Sequence, residues 1–144
     1  MKRLVKQLCL SLSILILMPL GAEAAKKSTN SEPFDWTSVM EAIILVESEG
    51  NPNAVSGNSV GVMQITPILV KECNDILKKQ KSKKRFEMND RYSVAKSKEM
   101  FLLIQSYHNP TNSIEKAIRS WNGGMKYSVR ATNKYYKKVM SKLK

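Results

Sequence analysis

No stretch of this 144-residue chain alternates apolar and polar residues for long enough to make a half-buried strand. Apolar positions recur instead at spacings of three and four, so the chain reads as a compact all-α domain. Its length allows one domain. Hydrophobic residues make up 42%, enough for a single core. Six Gly and five Pro are too few for the many turns of a β-sandwich.

The first residues read as a removable leader. Lys2, Arg3 and Lys6 precede an apolar run from Leu8 to Leu20, thirteen residues long. A membrane-spanning helix needs roughly 20, so no stable span is expected there. Ala22-Glu23-Ala24 is an A-x-A cleavage site, which makes residues 1–24 a signal peptide and the chain an exported one, periplasmic or associated with the cell envelope. Residues 25–33 are a polar, flexible lead-in, and the folded domain is expected over 34–144.

Cleavage would remove Cys9 and leave Cys73 alone, so no internal disulfide can form; Cys73 reads as a small buried apolar side chain. With His108 the sole histidine, no zinc-type ligand set can be assembled, and neither metal nor cofactor is expected. The full chain carries a net charge of +12, and the mature one about +10. A basic exported protein is drawn to the carboxylates and anionic polymers of a bacterial wall. Nucleic acid is not an expected partner, because the cationic run at 78–85 lacks interleaved aromatics and any binding motif.

Five helices are expected. The first runs from a cap at Asp35 to Glu49 and stops at Gly50. Residues 51–66 read as loop. The second starts with Thr66 as N-cap and Pro67 at N1 and reaches Leu77. Asp90 is expected to cap a third over 92–107, ended by Asn109-Pro110. Asn112 and Glu115 form a capping box for a fourth over 113–121, stopped by Gly123-Gly124. The last covers 132–143.

Glu47 is the most unusual position. It continues the face made by Trp36, Met40 and Ile43. A carboxyl group among apolar neighbours loses hydration, stays protonated to higher pH and can serve as a general acid. Taken alone, a glutamate in a last helical turn pointing to solvent is the more ordinary reading.

The residues around it resemble a known family. Glu47-Ser48-Glu49-Gly50-Asn51-Pro52-Asn53-Ala54 is similar to Glu-Ser-x-x-Asn-Pro-x-Ala, and Gly61-Val62-Met63-Gln64-Ile65 to Gly-Leu-Met-Gln-Ile. Ser120-Trp121-Asn122-Gly123-Gly124 matches Ala-Tyr-Asn-Ala-Gly loosely, and Thr132 and Tyr135 match a Thr-x-x-Tyr segment. These are signatures of the soluble-type lytic transglycosylase catalytic domain, a lysozyme-like fold related to goose-type lysozyme. The likeness spans about residues 36–140.

The resemblance implies a helical domain with a cleft for peptidoglycan glycan strands. It implies Glu47 as the catalytic acid and base, which cleaves between N-acetylmuramic acid and N-acetylglucosamine and closes a 1,6-anhydro ring without water. It implies substrate-binding roles for Ser48, Met63, Gln64, Asn122 and Tyr135, with Met63 also a core residue and Tyr135 a hydrogen-bond partner of Glu47. The small single-domain size resembles members that open the wall for a secretion or conjugation apparatus. A hydrolytic muramidase and a non-catalytic peptidoglycan-binding module are the competing readings. Gly57-Asn58-Ser59-Val60-Gly61, with Asp75 and His108 following, also fits a serine-hydrolase elbow, but no strand precedes it and the chain is too short for that fold.

Overall fold

The computed structural model describes residues 33–144. The expected signal peptide and most of the expected lead-in lie outside the described residues. Within them stand five α-helices: α1 (Thr37–Ser48), α2 (Pro67–Lys79), α3 (Val94–His108), α4 (Ile114–Gly123) and α5 (Val129–Met140). A short 3-10 helix, Met88–Tyr92, precedes α3. The all-α reading holds, with one addition. The expected loop 51–66 contains a hairpin of two short strands, β1 (Val55–Ser56) and β2 (Ser59–Val60), paired antiparallel. Two residues per strand are too few for a periodic signal.

The helix ends show where local chemistry decided the boundaries. Thr66 caps α2 as expected, its hydroxyl accepting the Leu69 N–H. Asp35 sits one residue before the cap of α1 and still accepts the Thr37 N–H at 2.8 Å. The α3 cap is Ser93, not Asp90. Asp90 is already engaged, since its carboxylate accepts the Glu87 N–H and closes the 3-10 turn. The α4 cap is Ser113, not Asn112, whose backbone is left-handed with φ 53°. Asn109 forces that shift by bonding both the N–H and the carbonyl of Ser113. The last helix begins at Val129, three residues earlier than expected, because Ser128 caps it through the Ala131 N–H.

The core gathers Ile43, Met63, Met100, Phe101, Ile118 and Val139, all at or near zero exposure. Cys73 is fully buried among them, and burial pushes its thiol up to about 12. An aromatic file runs through this core, with Trp36, Phe101 and Trp121 ring centroids 5.7 and 5.2 Å apart. It connects α1 through α3 to α4, beside the candidate site.

Helices α4 and α5 are locked by a buried cation. Arg119 is 4% exposed. Its guanidinium bonds Glu115, the Val129 carbonyl and the Thr132 hydroxyl, and stacks over the Tyr136 ring at 4.2 Å. A buried guanidinium is tolerable only when its donors are satisfied, so these contacts define one docking position for α5. Gly123 lets the helices close together there. A Cβ at that position would stand 2.7 Å from the Thr132 methyl and 2.8 Å from Tyr127 Cβ.

Candidate active site

Glu47 occupies the last turn of α1, half-buried. The left-handed residue ending the helix is Glu49 (φ 55°), one position before the expected Gly50. This turn carries the chain away from Glu47 and leaves its carboxyl group at the mouth of a cleft.

Three long-range hydrogen bonds knit the signature segments together. Ser48 Oγ donates to the Val62 carbonyl at 2.8 Å, tying the end of α1 to the Gly61–Ile65 segment. Trp121 Nε1–H donates to the Met63 carbonyl at 3.1 Å, tying α4 to the same segment. The Tyr135 hydroxyl donates to Glu47 Oε1 at 2.7 Å, tying α5 to α1. The polar atom of Trp121 is therefore spent inside the protein, while its ring lines the cleft.

The central segment is held under local constraint. Gly61 has φ 79°, and a Cβ there would lie 1.9 Å from the Arg91 carbonyl oxygen. Gln64 is left-handed too, at φ 51°, which costs a non-glycine residue roughly 1–3 kcal/mol. Its amide donates to the Gly61 and Ala54 carbonyls at 3.0 and 3.3 Å. That leaves the side-chain oxygen as the acceptor Gln64 offers to the cleft it lines.

Three connected hollows form a groove across this face. The central one, about 240 Å³, is lined by Glu47, Ser56, Ser59, Gln64 and Asn122 among others. One neighbour, about 380 Å³, shares Thr66, Leu69, Trp121 and Asn122 with it and is mainly apolar. The other, about 350 Å³, shares Glu47 and Asn122 and is bounded by α5. Asn122 thus borders all three, and Glu47 stands where the central hollow meets the one bounded by α5.

Burial is the main reason the Glu47 carboxyl group titrates above the usual carboxylate range; the Tyr135 hydrogen bond and the charge of Lys138 oppose it. The Tyr135 phenol is also pushed up, by burial first and then by the neighbouring carboxylate. The pair is therefore a protonatable acid held by a hydroxyl that keeps its proton.

Of the six residues singled out in the sequence, Glu47, Gln64, Asn122 and Tyr135 come together on the groove. Ser48 stands behind Glu47 with its hydroxyl given to Val62, and Met63 is fully buried with its carbonyl given to Trp121. Ser59 lines the central hollow. Asp75 pairs with Lys71 at 2.6 Å and His108 with Glu72 at 2.8 Å. The serine-hydrolase arrangement is therefore not assembled. Sequence reasoning passed over Lys134 and Lys138, which also line the groove. Their four-residue spacing around Tyr135 was the available signal. Among the described residues, no three His, Cys, Asp or Glu side chains gather as a metal site, and no helix is long and apolar enough to cross a membrane.

A small helical domain with an extended groove and a half-buried carboxyl group defines the lysozyme-like class of glycan-cleaving proteins. The family described as the transglycosylase SLT domain matches residues 23–143, and the chain belongs to it. Its activity is accordingly of the transglycosylase or muramidase type, with peptidoglycan as substrate. No curated protein and no solved structure matches the chain.

Proposed function

We propose that the protein is a lytic transglycosylase that cleaves the β-1,4 bond between N-acetylmuramic acid and N-acetylglucosamine and leaves a 1,6-anhydro end. The observation that carries this reading is the Glu47–Tyr135 pair at the junction of two hollows of the groove. Glu47, protonated, gives its proton to the glycosidic oxygen as the bond to the anomeric carbon breaks. The N-acetyl carbonyl oxygen of the same sugar meets the positive charge. Glu47, now a carboxylate, takes the proton of the 6-hydroxyl, and that oxygen closes on the anomeric carbon as the N-acetyl group leaves it. No water is consumed.

The distribution of carboxylates supports this over hydrolysis. A hydrolytic glycosidase uses a second carboxylate across the bond. Among the described residues, the other acidic side chain lining the groove is Glu72, in the apolar hollow and bonded to His108. Glu49 lies at the helix end, Asp75 is paired with Lys71 and Asp90 closes the 3-10 turn. In this reading Gln64 and Asn122 hold sugar hydroxyls or acetamido groups, Tyr135 aims Glu47, and Ser48 and Met63 act through the backbone they anchor. The enzyme works at the cell envelope after export, in the service of an apparatus that must pass through the wall.

Incubation of the purified protein with sacculi, followed by mass analysis of the released fragments, tests the proposal. Anhydro ends are expected. Reducing ends would reassign the protein as a muramidase, and binding without release would make it a binding module.

A further inference from the structure

The two ends of the groove differ in charge. On the Trp121 side the walls include Ile68, Leu69, Ile104 and Met125. On the far side of Glu47 they include Lys134 and Lys138. These lysines are four apart on α5, exposed, and share one helix face. Lys71, Lys84, Lys96 and Lys98 each pair with a carboxylate within 4 Å. Neither Lys134 nor Lys138 has such a partner among the described residues. The acidic group bordering their hollow is Glu47, already bonded to Tyr135.

The chemistry proposed for Glu47 does not call for these cations. Positive charge develops at the anomeric carbon, and unneutralised ammonium groups nearby oppose it. A substrate that brings its own anion removes that conflict. N-acetylmuramic acid differs from N-acetylglucosamine by a lactyl ether on O3. That ether ends in a free carboxylate on a bare strand, or bears a peptide with carboxylates of its own. The sugar with this substituent is also the one whose anomeric carbon reacts at Glu47.

We propose that Lys134 and Lys138 form a carboxylate subsite for the acidic substituent of the muramic sugar held at Glu47. The inference rests on the reading of the groove as a glycan-cleaving site, and it makes α5 the element that distinguishes a muramic from a plain glucosamine unit beside the cleavage point.

The test measures binding of the Glu47→Gln protein, with and without Lys134→Met and Lys138→Met, to three ligands. These are peptide-bearing strands, strands stripped of peptide so that the lactyl carboxylate is free, and a chito-oligosaccharide. Removing both ammonium groups should weaken muramic ligands by about tenfold or more, reduce their salt dependence and leave the chito-oligosaccharide unchanged. A loss confined to peptide-bearing strands assigns the carboxylate to the stem, and a loss on both assigns it to the ether. Muramic affinity within twofold of the parent overturns the subsite, as does an equal loss on the chito-oligosaccharide. In the active protein, Lys134→Met alone should raise KM with kcat little changed. A parent protein that releases nothing from sacculi rejects the proposed activity, while the binding comparison still decides the subsite.

Discussion

The Tyr135 hydroxyl lies 2.7 Å from Glu47 Oε1 across the junction of α5 and α1. The two residues are 88 apart in the chain. This contact aims a half-buried acid into the groove. It also opposes the effect of burial on that acid, because a donor bonded to a carboxylate favours its charged form.

Glu47→Gln should cut fragment release by at least about 100-fold, the lower end of what a positioned general acid contributes. The fold should persist, with a thermal midpoint no lower than the parent's at neutral pH. The sign follows from the raised pKa. A carboxyl group that titrates higher when folded costs no stability below its unfolded pKa, and the cost appears as pH rises through the folded pKa. The amide removes that cost. Calorimetry at pH 4 and pH 8 should therefore show a more favourable effect of the substitution at the higher pH.

Tyr135→Phe should lower kcat and move the alkaline limb of the pH–rate profile. Glu47 must be protonated for the first step, so activity falls as pH passes its pKa. The hydroxyl holds that pKa down, and its removal should shift the limb to higher pH. Lys138→Met should shift it in the same direction, since the lysine charge acts with the same sign. A shift to lower pH in either variant would contradict the assignment of Glu47.

Trp121→Phe keeps an aromatic wall and deletes the donor to the Met63 carbonyl. An orphaned, partly buried acceptor costs about 1–3 kcal/mol, read as a lower urea midpoint. The same change loosens the Gly61–Ile65 segment, so KM should rise as Gln64 loses its fixed position.

Gly61→Ala should be among the most damaging single substitutions. Its Cβ would overlap the Arg91 carbonyl, and the positive φ strains any L side chain. A loss above about 3 kcal/mol is expected, which is exceptional for a single change. Urea unfolding should show it, and fragment release should fall with it.

How far the chain could be read in advance depended on the range of the interaction concerned. Thr66-Pro67 marks the start of α2 because capping is settled within four residues. Asp90, Asn112 and the start of α5 misled for the same reason in reverse. Asp90 and Asn112 each held a competent local signal that other contacts overrode, and at α5 the capping serine was not recognised. Asp90 closed its own turn, Asn109 claimed Ser113, and the cap at Ser128 started α5 three residues before the expected 132. The strands at Val55–Ser56 and Ser59–Val60 left no trace in periodicity because they are held by pairing, not by a buried face.

Residue types and short spacings were enough to set the helical class, the buried Cys73, and the family likeness that picks out Glu47, Gln64, Asn122 and Tyr135. Those features depend on side-chain chemistry and on neighbours a few positions away. Packing alone decided that Ser48 and Trp121 would turn their polar atoms onto the backbone of one segment, and that Arg119 would dock α5 against α4. The same packing set the lysines of α5 beside Glu47. Such contacts join residues far apart in sequence, and they exist only once the core has closed and left each polar group with few partners within reach.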